Sequence, residues 1–147
     1  MKKLLAYFKY QDDSWRGGYD FFTEEEMRCK GPERGFKCDC GGKGLPPHSF
    51  MVLMVKLRKR VGKMIITSCY RCPSYNAHIS DTGLTGPHTI AAADVAVFGP
   101  RAFLLVFWAI FYGIRRIGIK QHGPLSERFV HIDVSKKHPI PRIWSYK

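Results

Sequence analysis

Apolar residues recur at helical spacing in the segment that follows Pro46 and Pro47. Lysine and arginine occupy the opposite positions, and this alternation is typical of a helix with one face in a protein core. Gly62 follows the last apolar residue of the pattern, so we expect the helix to end there. The apolar stripe consists of Phe50, Leu53, Met54, Leu57 and Val61.

A second helix is predicted to begin at Gly99-Pro100, because proline at an early helical position loses no hydrogen bond. Its apolar stretch, residues 102–114, is too short to cross a bilayer. We therefore expect a buried helix whose aromatic residues, from Phe103 to Tyr112 and including Trp108, pack in the core. Upstream, Thr23 and Glu26 form a capping-box pair that predicts a helix start.

Short apolar runs predict strands at residues 64–67, 92–97, 117–119 and 128–134. Residues 73–87 are polar and contain glycine, so we interpret them as a loop. The order helix, strand, strand, helix, strand, strand lacks βαβ alternation and indicates an α+β fold. A chain of 147 residues suits one domain, with an irregular segment at 1–47 and a core at 48–147.

The chain carries 24 Lys and Arg against 12 Asp and Glu, a net charge of +12. This excess favours a polyanionic partner, either nucleic acid, an anionic membrane or an acidic cell-wall polymer. The basic residues are spread along the chain without a nucleic-acid-binding motif, so we expect no nucleic acid partner.

The first residues, Met1-Lys2-Lys3 and the apolar run that follows, resemble a signal peptide. The run stops at Lys9 and no small-residue cleavage site follows. We therefore expect a protein made in the cytoplasm without a signal peptide, and no stable membrane insertion.

Five cysteines is an odd number, which argues against a disulfide framework in a chain without an export signal. Cys29, Cys38 and Cys40 could form a structural zinc site with Cys69 or Cys72. Because residues 29–40 contain no CxxC pair, we favour buried or unliganded thiols.

Histidine and carboxylate residues near two predicted strands suggest a catalytic zinc site, which typically has three protein ligands and an open position. His88, Asp94 and His131 would supply such a set. Residues two apart on a strand share a face, so Asp133 and Glu127 would lie beside His131. Either carboxylate could act as general base, and Asp133 could instead orient the His131 imidazole.

Six segments along the chain carry a family pattern: residues 22–29, 68–76, 85–95, 117–119, 129–133 and 142–146. Together they resemble the zinc D-alanyl-D-alanine carboxypeptidase family, also known as the LAS peptidases, which includes phage murein endopeptidases. The resemblance covers most of the chain and is strongest from Ile65 onward. It implies the small α+β zinc-peptidase fold also found in hedgehog signalling domains, an antiparallel sheet with flanking helices.

The resemblance implies a role for each matching residue. His88, Asp94 and His131 match the family's ligands for its cofactor, Zn2+. Arg71 matches an arginine that holds a substrate carboxylate or polarises the scissile carbonyl, for which a planar guanidinium is suited. Ser68 and Asn76 would shape the substrate pocket. The family's upstream catalytic base corresponds to Arg128 here, which leaves Asp133 and then Glu127 as candidates.

The function implied is that of a hydrolase, a zinc metallopeptidase acting on peptide bonds of bacterial peptidoglycan. A D,D-carboxypeptidase and a murein endopeptidase are both consistent with this ligand set. A phage-encoded endolysin or a virion-associated enzyme would degrade the host cell wall, with virion proteins as further partners. An alternative is a non-catalytic cell-wall-binding module, because Asp94 is the sixth residue after His88 where the family has seven, and the intervening glycine is missing.

Overall fold

The computed structural model describes residues 19–147, so the segment that resembles a signal peptide lies outside the described residues. No helix within residues 19–147 is long and apolar enough to cross a membrane.

A five-stranded sheet organises the described chain, in the order β1-β2-β4-β3-β5. Neighbouring strands are antiparallel except for β3 and β5, which are parallel. The α+β class predicted from the sequence is therefore confirmed, whereas the expectation of an antiparallel sheet is wrong at this edge. The strands are β1 Ile65–Ser68, β2 Ala92–Ala96, β3 Arg116–Lys120, β4 Phe129–Asp133 and β5 Arg142–Ser145.

Four α-helices accompany the sheet in residues 19–147. Thr23 caps the first helix by accepting a hydrogen bond from the Glu26 amide, as the sequence predicts. The helices are α1 Glu24–Met27, α2 His48–Val61, α3 Pro73–Ile79 and α4 Gly99–Phe111. Short 3-10 turns lie at Pro32–Arg34, Gly83–Thr85, Pro87–Thr89 and Leu125–Glu127.

Helix α3 corrects the prediction of a loop at residues 73–87. Pro73 stands at the first helical position, where its fixed φ favours the helix. The helix buries only Tyr75 and Asn76, so its sequence shows no repeating apolar pattern that would predict a helix.

The core lies between one face of the sheet and helices α2 and α4. Helix α2 buries the predicted stripe except Leu53, which is half-buried, and it buries Met51 in addition. Gly62 ends the helix as expected, with φ of +84°. Alternate strand residues such as Val130 and Ile132 fill the sheet's side of the core.

Helix α4 is only partly buried, so the prediction that its aromatic stripe packs in the core is wrong for most of the stripe. Phe103, Phe107 and Phe111 are 72%, 50% and 66% exposed. Because the helix meets its neighbours along one face, only Ala102, Leu105 and Ala109 are fully buried. Trp108 is half-buried against the core, beneath the Arg60 guanidinium.

The described part of the N-terminal segment contains α1 and the 3-10 turn Pro32–Arg34, and it packs against the rest of the described chain. Phe22 and Met27 are buried in the main core. A second, small cluster contains Cys29, Cys38, Cys72 and Tyr75.

Candidate functional site

The sheet face opposite the helices carries a row of polar side chains on its central strands. Asp94 of β2 pairs with His131 of β4, which in turn pairs with Gly118 of β3. Because strand side chains alternate, Asp133 lies on the same face as His131, and Arg116 is its cross-strand partner. The register of β2 and β4 therefore brings the predicted Asp94, His131 and Asp133 to one face, and β3 adds Arg116, which the sequence did not single out.

His88 reaches this face from the 3-10 turn Pro87–Thr89, just before β2. Its Nε2 lies 3.2 Å from Asp94 Oδ2. Its Nδ1 lies 2.6 Å from the carbonyl oxygen of Cys69, which fixes the ring. The step of six residues thus still brings His88 to Asp94. Ile90 has φ of −114°, so this turn closes without the positive φ for which the family's glycine would be suited.

His131 lies between two carboxylates. Its Nδ1 is 2.8 Å from Asp94 Oδ1, and its Nε2 is 3.0 Å from Asp133 Oδ2. Asp133 is fully buried and accepts hydrogen bonds of 2.9 Å and 3.0 Å from Arg116 Nε. The Asp133 carboxylate therefore holds both the imidazole and the guanidinium in place.

The arrangement fits a metal ion. One ligand atom from each of His88, Asp94 and His131 lies within 4.8 Å of the other two. In each histidine, the ring nitrogen that faces away from Asp94 is bonded to an outer oxygen, Cys69 O or Asp133 Oδ2. Outer partners of this kind orient metal-binding imidazoles in proteins. Two imidazoles and one carboxylate form a donor set typical of catalytic zinc.

The charges of the cluster depend on one another. Burial disfavours the charged form of Asp94, but the neighbouring His88 and His131 outweigh this and hold the pKa of Asp94 well below its usual range. Burial likewise lowers the pKa of His131, but hydrogen bonds with Asp133 and Asp94 outweigh it, so the pKa of His131 is raised. Asp94 is therefore ionised, and a metal bound at His131 Nδ1 would take the place of a proton.

Arg71 lies at the edge of the cluster, with Nη2 3.5 Å from Asp94 Oδ2. Ser68 Oγ accepts hydrogen bonds of 3.0 Å and 2.7 Å from Arg71 Nε and Nη2. Asn76 Oδ1 lies 3.3 Å from Arg71 Nη1. Neither Ser68 nor Asn76 lines the cleft above the cluster, but both form hydrogen bonds with Arg71, which does line it.

A cleft of about 380 Å³ opens over the cluster. Trp144 forms part of its wall, with the ring centroid 5.3 Å from that of His131. Our sequence analysis gave no role to Trp144, Tyr146 or His138, although all three line the cleft. Residues 142–146 are part of the sequence resemblance, but only the parallel pairing of β5 with β3 brings them to the site.

The two predicted bases differ in position. Glu127 does not line the cleft and pairs with Lys120 at the surface, where Glu127 Oε2 is 3.3 Å from Nζ. Asp133 touches His131 but is buried beneath it and bound to Arg116. This geometry is that of an orienting partner of His131. The cleft-lining carboxylate is that of Asp94 itself.

Four cysteines form a second group of possible metal ligands, Cys29, Cys38, Cys40 and Cys72. Their sulfurs all lie within 4.8 Å of one another. Cys69 is not part of the group and is buried in the main core. The fold therefore places these four cysteines where they could bind one metal ion, although the sequence favoured unliganded thiols.

Comparison with protein-family models, curated proteins and solved structures found no match.

Proposed function

We propose that this chain is a zinc-dependent peptidase that hydrolyses peptide bonds of bacterial peptidoglycan, as a D,D-carboxypeptidase or a murein endopeptidase. The observation that carries the proposal is the cluster of His88, Asp94 and His131, with each imidazole bonded on its outer side and Arg71 beside it. The choice of peptidoglycan rests on the sequence resemblance to LAS peptidases, and so does a phage-encoded lysis or virion-associated role.

Zinc held by these residues would supply Lewis-acid chemistry, which activates water and polarises a peptide carbonyl. Arg71 would bind a substrate carboxylate or stabilise the negative charge that develops on the carbonyl oxygen. Ser68 and Asn76 hold the guanidinium in one orientation, which lowers the reorganisation needed when substrate binds. Trp144 and Tyr146 would supply apolar walls for the peptide.

The mechanism also needs a proton acceptor for the attacking water, and among the described residues the cleft offers one imidazole besides those of His88 and His131. His138 lines the cleft and is held through Nε2, 2.9 Å from the carbonyl oxygen of Thr85. Its other ring nitrogen is a candidate base within the cleft, in place of Asp133 or Glu127. A His138→Gln variant should then lose most of the hydrolysis, with zinc content unchanged.

The net charge of +12 suits a polyanionic cell wall. Attachment of this kind weakens with salt, because exposed charges are screened beyond about 8 Å at physiological ionic strength. Binding to isolated walls should therefore fall as salt rises, whichever bond is cut.

The first experiment incubates the purified protein with isolated bacterial sacculi and identifies the released peptides by mass spectrometry. New amino or carboxyl ends that disappear with a chelator and return with zinc would support a metallopeptidase and name its bond. Asp94→Asn is the inactive variant, and Glu127→Gln is the matched carboxylate-to-amide control with unchanged release. Absence of release from Gram-negative and Gram-positive walls would reject the proposal.

A non-catalytic wall-binding module is the second candidate function. The specific observation in its favour is that Asp94, a metal ligand, is the carboxylate lining the cleft, which leaves no carboxylate base there among the described residues. Sedimentation with sacculi separates the two functions: persistent binding without release supports the module.

A further inference from the structure

We propose that Cys29, Cys38, Cys40 and Cys72 form a structural zinc site, separate from the cluster of His88, Asp94 and His131. The sulfurs of Cys29 and Cys38 are 4.0 Å apart, those of Cys29 and Cys72 are 3.8 Å apart, and those of Cys38 and Cys40 are 3.5 Å apart. A tetrahedral ion with zinc–sulfur bonds of about 2.3 Å requires sulfurs about 3.8 Å apart. The observed separations lie on either side of this value.

Disulfide bonding does not describe this geometry. The cysteines are free, and the sulfur separations are far longer than a bond of about 2.0 Å. Cys29 and Cys72 are 43 residues apart along the chain, yet the fold brings them together with the other two thiols. One metal ion bound by all four sulfurs accounts for this convergence. Soft sulfur donors in a tetrahedral set select zinc or iron among the metals found in proteins.

The surroundings of the sulfurs support thiolate ligands. The Cys72 amide lies 3.4 Å from Cys29 Sγ and donates to it. Ser74 Oγ lies 3.4 Å from Cys72 Sγ. Segment 28–43 also carries Arg28, Lys30, Arg34, Lys37 and Lys43 against Glu33 and Asp39, so its positive charge offsets the dianionic charge of four thiolates around a divalent ion.

The segment between α1 and α2 has little other structure to stabilise it. Between α1 and α2 the chain has one 3-10 turn and no strand. Its cluster consists mainly of the cysteines, with Tyr75 and the partly buried Phe36 and Tyr70. Small segments with little apolar core commonly obtain their stability from a bound metal. Positive φ at Gly41 and Gly42 turns the chain directly after Cys40.

The site also has a consequence for the cleft. Cys72 follows Arg71 directly, so a metal bound there anchors the turn that carries the guanidinium. The inference itself does not depend on the proposed peptidase activity, because the four cysteines do not line the cleft.

The test measures zinc in the full chain by mass spectrometry of the metal, using a His131→Ala variant to remove ligation in the cleft. We expect about one zinc ion per chain to remain, because four thiolates bind one tetrahedral ion. X-ray absorption of this variant should give an all-sulfur shell at about 2.3 Å. Cobalt(II) in its place should produce thiolate charge-transfer bands.

A Cys38→Ser substitution in the same background should abolish the sulfur shell and most of the bound zinc. Cys40→Ser is a second variant, because Cys40 is only half-buried and the fold has less to lose. Cys69→Ser is the matched control, a buried cysteine outside the cluster that should leave zinc content unchanged.

Three outcomes would overturn the inference. One is the absence of metal from a folded His131→Ala protein that was expressed in the presence of zinc. Another is iron in place of zinc in that protein. The third is a disulfide among the four cysteines in freshly purified protein. Absence of wall hydrolysis by the wild-type protein, with its sulfur shell intact, would instead reject only the proposed peptidase.

Discussion

Asp133→Asn is the most informative perturbation of the cleft, because Asp133 is either the base of a reaction or the support of a ligand. In the structure it accepts hydrogen bonds from Arg116 Nε, from His131 Nε2 and, at 3.0 Å, from the Ser135 amide. An amide keeps the shape of the side chain but removes the charge. It also replaces one accepting oxygen with an NH2 group that faces the same donors.

The magnitude follows from burial. The side chains of Arg116 and Asp133 are 5% and 0% exposed, so the substitution leaves an uncompensated buried guanidinium. Breaking a buried ion pair in this way costs about 3–5 kcal/mol of unfolding free energy. The loss of an oriented imidazole at His131 should weaken zinc binding in the cleft by about 10–100-fold.

Urea denaturation measures the free energy of unfolding, and titration against a competing chelator measures the zinc affinity. Glu127→Gln is the control, because Glu127 is exposed and its ion pair with Lys120 contributes less than about 1 kcal/mol. An Asp133→Asn protein with wild-type stability and zinc affinity but no hydrolysis would refute this reasoning, since Asp133 would then act on the substrate and not on His131.

Three further predictions concern the cleft. Arg71→Lys should lower kcat on wall peptides by about 10²–10³-fold, because an ammonium cannot reproduce the fork held by Ser68; equal kcat in steady-state assays would contradict this. Gly118→Ala should cost about 1–3 kcal/mol in urea unfolding, because the added Cβ would lie 2.6 Å from Tyr146 and 2.7 Å from Trp144. Burial raises the pKa of Tyr146 from 10.0 to about 12. The folded state therefore binds more protons than the unfolded state between these values, and stability should fall as pH rises through this window. In a Tyr146→Phe variant the free energy of unfolding should fall less than in wild type between pH 10 and 12. Parallel curves of stability against pH for the two proteins would contradict this prediction.

Local patterns predicted those parts of the fold whose contacts repeat along the chain. The spacing of apolar residues in α2 reflects a helix with one buried face, and Gly62 ends it because glycine tolerates φ of +84°. The alternation in β4 places His131 and Asp133 on one face. Ligand chemistry was also readable, since His88, Asp94 and His131 are residue types that bind zinc wherever they converge.

Burial depth could not be predicted in the same way. The composition of α4 indicates a helix that is buried all round, yet Phe103 and Phe111 are exposed because its neighbours cover only one face. Helix α3 was missed for the opposite reason, since most of its short length is polar and only Tyr75 and Asn76 face inward.

The sequence by itself determined the local elements other than α3 and β5, the α+β class and the identity of the residues that could bind metal. Tertiary structure alone decided which of them meet. It selects Cys72 and excludes Cys69 from the thiol cluster, and it makes Asp133 a support for His131 by burying it against Arg116. Such choices depend on contacts between residues far apart along the chain, which no local periodicity records.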